Sequence, residues 1–167
     1  MSWLLFAGLT GSSVTKNDHE KQYGFYNNNV INLELIPYHS RGITLPGKLN
    51  VAQSTYLRSR LIDNIDFIAT RTSPMPELVL FNGSIWHTLL IEDKLLPIEY
   101  YDRVSVTPSF NLYFFTIDIH EKLLKCVLFD KFFSRHFWGI TDYDRQYTIP
   151  NIIRYHLSSQ GIHVNVH

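Results

Sequence analysis

The sequence predicts an α/β domain: three layers, α/β/α, around a central, mainly parallel sheet, with a β-hairpin at 112–129. Three observations carry this. Val30 to Ile36 is a strand-like run, and the short, continuously apolar run Leu78 to Phe81 reads as a strand buried on both faces. Between them, Leu57, Leu61, Ile65 and Ile68 recur at helical spacing. Downstream, Tyr113, Phe115, Ile117 and Ile119 alternate, as a half-buried strand requires.

Each element follows from local chemistry. Residues 3–7 form a short apolar run, read either as a first strand that ends in the loop "GLTGSS" or as part of a first helix. Residues 10–29 are polar and contain Gly11, Gly24 and the triplet Asn27-Asn28-Asn29, a long surface loop. Strand 30–36 stops at Pro37. The helix over 50–69 has Asn50 as its N-cap, and Pro74 and Pro76 prevent its continuation. Strand 78–81 turns at Asn82-Gly83-Ser84 into a helix that carries Ile85, Trp86, Leu89 and Leu90, the parts of a βα unit. Trp86 is expected to be structural, packed beneath that turn. A short strand at 103–107 precedes the hairpin, whose turn is His120-Glu121-Lys122. A last helix over 149–159 has Thr148 as its cap, Pro150 in its first turn and Gly161 past its end.

Composition excludes several function classes. The 167 residues are 45% hydrophobic and 14% aromatic, enough for one domain with one sizeable core. Fifteen basic residues balance fifteen acidic ones, so no global positive field marks a nucleic-acid binder. The single cysteine, Cys126, excludes an intramolecular disulfide; it sits in an apolar run and reads as a buried, inert thiol of a reducing compartment. "MSWLLFAGL" is too short to span a bilayer and lacks a charged front, and no later stretch reaches about 18 uncharged apolar residues. The expectation is a soluble, cytoplasmic protein without a membrane partner.

Open α/β sheets bind ligands beyond the carboxyl ends of their strands. Four segments fall there: the loop after strand 3–7, the loop "PYHSRG" with Tyr38 and His39, the Asn82 turn, and "SRHFWGITDYD" with Arg135 and His136. Loops that group aromatic and ionisable side chains are reasonable site candidates.

The succession "LLFAGLTGSS", "VINLELIPYHSRGITLP", "ELVLFNGSIWHTLL" and "RHFWGIT" resembles, in order and context, the uracil-DNA glycosylase superfamily. The resemblance implies a domain that binds a flipped nucleobase and hydrolyses its N-glycosidic bond, without a cofactor, on single-stranded or damaged DNA. It implies a base-reading role for Asn32, whose amide offers both a donor and an acceptor to a pairing edge. Tyr38 would stack on the base. His39, Asn82 and Arg135 would line the substrate side, and His136 would stabilise the leaving base. Thr10 occupies the catalytic-loop position, where the family has a carboxylate or an amide, and Gly11 stands where proline is frequent. A threonine hydroxyl is no general base at neutral pH, although it can position a water. If residues 3–7 belong to a helix, the catalytic strand is missing. A second reading therefore stands beside the first: an α/β interaction module without glycosylase activity.

Other chemistries fail on spacing. "GLTGSSVTK" lacks the glycine spacing and the Lys-Ser/Thr order of a phosphate loop. His163 and His167 share a face if extended, but no acidic or thiol ligand accompanies them. Ser40, Ser84 and Ser134 sit in no nucleophile-elbow motif.

Overall fold

The computed structural model describes residues 5, 8, 9, 54–71, 78–131 and 139–159. In chain order these form helix α1 (Thr55–Arg71), strand β1 (Val79–Asn82), helix α2 (Ser84–His87), strands β2 (Ile98–Thr107), β3 (Phe110–Ile119) and β4 (Lys122–Phe129), and helix α3 (Ile149–Ser159). A π-helical turn, Thr88–Glu92, extends α2, and another, Asp144–Thr148, leads into α3. The expected strand 30–36 and the cap Asn50 lie outside the described residues.

The sheet among the described residues has the order β1-β4-β3-β2. β1 and β4 are parallel, with Asn82 level with Phe129. The pairs β2–β3 and β3–β4 are antiparallel. The chain thus combines helices with a mixed sheet, and the expected mainly parallel sheet is corrected for these strands. The reason is the length of the connections. Pro108-Ser109 and His120-Glu121 are two-residue loops, which can join only antiparallel neighbours. His120 and Glu121 both have positive φ, 52° and 60°, the signature of a type I′ hairpin turn. Lys122 belongs to the strand and not to the turn.

β3 is the centre of the domain. Every residue from Phe110 to Ile117 is buried. On one face Tyr113, Phe115 and Ile117 join Leu124, Cys126 and Leu128 of β4, Val79 and Phe81 of β1, and Leu57, Leu61, Ile65 and Ile68 of α1. The helical stripe read from the sequence is therefore the buried face of α1. On the other face Phe110, Leu112 and Phe114 join Val127 and Phe129, with Leu5 and α3's Ile149, Ile153 and Leu157. Fully burying one such side chain contributes about 1.5–3 kcal/mol. Trp86 is half-buried, its ring 5.1 Å from that of Phe81, consistent with a structural role. Cys126 is fully buried, and burial pushes its thiol well above the ordinary cysteine range.

The helix boundaries differ from expectation for identifiable reasons. α1 starts after Ser54, whose Oγ accepts from the Leu57 amide at 3.3 Å. Leu5, Gly8 and Leu9 are helical, which is the second of the two readings of this segment. Gly8 fits there because it lacks a side chain: a Cβ would overlap the Gln146 carbonyl oxygen and the Pro150 ring. Arg154 donates to the carbonyls of Gly8 and Leu9, which fixes this segment on α3.

Thr148 is not a cap. It lies inside a helical run that begins at Asp142, and its hydroxyl bonds to the Asp144 carboxylate at 3.0 Å. Pro150 has no N–H, so the helix widens into the π turn immediately before it. The true start is a capping box. The Asp144 amide donates to Thr141 Oγ1 at 3.1 Å, while the Thr141 amide and hydroxyl donate to Asp144 Oδ2 at 2.9 and 2.7 Å.

Those Thr141 hydrogen bonds are the main reason the Asp144 carboxyl is held below its usual range. A depressed folded-state pKa contributes stability that is present above the unfolded value and is lost as pH falls through the folded one. Asp144→Asn is therefore expected to lower the melting temperature at pH 6. The difference from wild type should shrink as pH falls below about 4, which thermal unfolding at a series of pH values would measure. A difference that persists unchanged in acid would exclude a carboxylate role.

Candidate functional site

The one parallel pair in the described sheet directs attention to the carboxyl ends of β1 and β4, where open α/β sheets place ligands. Asn82 ends β1 there, half-buried. The Gly83 amide donates to the Phe129 carbonyl at 2.9 Å, which ties the β1 turn to the end of β4. Gly83 has φ 116°, a conformation that glycine adopts readily.

One level beyond these ends lies a polar cluster. Arg103 faces Tyr113 and Ser105 faces Asn111 across the β2–β3 pair. Asn111, only 8% exposed, is its hub. Its Oδ1 accepts from Arg103 Nε and Nη2 at 3.3 and 3.1 Å and from Ser105 Oγ at 2.7 Å. Its Nδ2 donates to Asp130 Oδ2 at 2.6 Å, and its backbone amide donates to Asp130 Oδ1 at 3.1 Å. The Arg103 guanidinium also lies 5.9 Å from the centre of the Tyr113 ring. That ring meets His87 of α2 edge-on at 4.8 Å, and His87 Nδ1 approaches Glu92 at 3.4 Å.

This arrangement holds strands together. Asn111 uses both ends of its amide, and both Asp130 oxygens accept from it. A buried amide satisfied in this way is a clasp between the β2–β3 turn and the exit of β4. Among the described residues no three His, Cys, Asp or Glu side chains gather as a metal site.

A second junction has the same character. His156 of α3 stacks on Phe114 with ring centres 4.6 Å apart, and its Nδ1 lies 3.1 Å from Asp102 Oδ2. Asp102 pairs with Phe114 across the β2–β3 ladder, so the imidazole bridges helix and sheet.

Of the site residues that the resemblance implies, only Asn82 is described. Thr10, Asn32, Tyr38, His39, Arg135 and His136 lie outside the described residues. The sequence reading missed Arg103, Asn111 and Asp130. Asn111 interrupts an otherwise apolar strand and Asp130 follows β4 directly, which was the available signal.

It also missed an aromatic row on the last helical run. Tyr143, Tyr147 and Tyr155 are 68%, 47% and 72% exposed, and the first two rings stand 5.0 Å apart. Asn151, exposed, completes the row at four-residue intervals.

No known family, curated protein or solved structure matches this chain. Its class is defined by the fold alone, an α/β domain with a mixed sheet. No helix among the described residues is long and apolar enough to cross a membrane.

Replacing Asn111 with Ala is expected to cost about 1–3 kcal/mol, because Asp130 and Arg103 lose their shared partner. Urea denaturation would measure it. A neutral effect would mean that the cluster does not clasp the strands and is free for another use.

Proposed function

We propose that the chain is a non-catalytic α/β interaction module, whose contact surface is the tyrosine row of the last helix. The row is the observation that carries this reading. Tyrosine is enriched at binding hot spots because it combines a large apolar ring with a polar tip and loses little entropy when ordered. Three tyrosines held on one helix, each about half exposed or more, make such a surface.

Two further observations support it. Leu5, Gly8 and Leu9 are helical where a glycosylase-like reading needs a strand that delivers Thr10. The described polar groups at the carboxyl ends of β1 and β4 bond chiefly to one another. A reducing, cytoplasmic setting suits the single buried thiol of Cys126. We also propose that the whole domain has three layers around a mainly parallel sheet. It requires further parallel strands beyond β1, the outer strand of the described sheet on that side.

The glycosylase-like alternative is tested directly. The purified chain is incubated with single- and double-stranded DNA containing uracil or hypoxanthine, and the products are scored for abasic sites. No abasic sites above the protein-free control are expected. Enzyme-dependent abasic sites would overturn the non-catalytic reading.

A further inference from the structure

The partner that best fits the tyrosine row is a second copy of the chain, and we propose that two protomers pair through this helix in antiparallel fashion. The proposal rests on the interaction-module reading and names the occupant of its surface. The argument is charge complementarity about a two-fold axis. Asp142 and Asp144 stand at the N-terminal end of the row, and Arg154 stands toward its C-terminal end.

In an antiparallel pair, the acidic end of one helix meets the basic end of the other, and symmetry makes the contact twice. Parallel pairing would set like charges against each other. Asp142 is half exposed even though it bonds to buried Arg145, and Arg154 bonds to carbonyl oxygens and Asn151 rather than to a carboxylate among the described residues. The ring positions obey the same register. With Tyr143 set opposite Tyr155 of the partner subunit, Tyr147 falls opposite its Asn151, so each tilted aromatic pair closes on a ring or an amide. Opposed helix directions also oppose the two macrodipoles favourably.

The size of the surface sets the strength. The exposed parts of the three rings amount to on the order of 400 Å² per protomer. That is about half of the ~800 Å² per partner typical of stable complexes. The dimer is accordingly weak and reversible, with a dissociation constant in the micromolar range.

The test combines sedimentation velocity across a concentration series with site-directed crosslinking of the full chain. Wild type should move from monomer to dimer at micromolar concentration. Tyr155→Asp should weaken dimerisation at least about tenfold, as loss of a hot-spot ring does. For register, Tyr143→Cys and Tyr155→Cys chains are mixed and treated with a short bismaleimide; Cys126 is fully buried and does not compete. The mixture should crosslink efficiently. Tyr143→Cys alone should not, because its two copies would be separated by about 18 Å along the helices.

A chain that remains monomeric overturns the pairing and leaves the non-catalytic reading intact. A dimer in which Tyr143→Cys crosslinks to itself, or in which Tyr155→Asp changes nothing, overturns this interface. Abasic sites in the incubation described above would instead overturn the reading on which it rests.

Discussion

A strand buried on both faces imposes most of this structure. From Phe110 to Ile117 every residue of β3 is buried, so apolar layers must cover it above and below. α1 supplies one layer through Leu57, Leu61, Ile65 and Ile68, and α3 supplies the other through Ile149, Ile153 and Leu157. The tight turns on either side of β3 make its two neighbours antiparallel. β1 then adds to the outer side of β4, and the chain gains its single described parallel pair. Close approach of the covering layers explains Gly8, where any Cβ would meet the backbone of the last helical run.

A core this apolar leaves its polar groups to hold edges and junctions. Asn111 enters the buried strand and is tolerated because Arg103, Ser105 and Asp130 satisfy it. Arg145, 2% exposed, donates to Asp142 at 2.9 Å. His120 contacts Asp66 at 2.6 Å and Lys122 donates to the Ala69 carbonyl, so the strained β3–β4 turn is held on α1. His156 performs the equivalent task between α3 and β2. Each of these groups is occupied by the fold. The tyrosine row is a large apolar feature that the fold leaves outside, and for that reason it carries the functional reading.

The legible parts of the sequence were those governed by local periodicity. The stripe of α1, the alternation of β3, the strand-turn-helix at Asn82 and the burial of Cys126 all follow from side chains a few residues apart. Strand direction did not follow, because an apolar run looks the same in a parallel or an antiparallel ladder. Thr148 before Pro150 imitates a helix start, yet the capping box of Thr141 and Asp144 begins the helix earlier and a π turn absorbs the proline. Asn111 and Asp130 are far apart in sequence, and no local pattern announces their bond. The exposed tyrosines were equally silent, since an aromatic residue in a helix reads as core until its face is known. The candidate site inferred by resemblance fell, apart from Asn82, on residues outside those described.

Native-state hydrogen exchange tests the organising role of β3 most directly. If two-sided burial of this strand holds the domain together, the amides of Leu112 to Ile117 and their partners in β4 should exchange only through global unfolding. They should be slower than those of α1 or α3, whose layers can open first. Amides of α1 or α3 that outlast β3 would contradict the account, because the strand would then be a consequence of helix packing and not its cause.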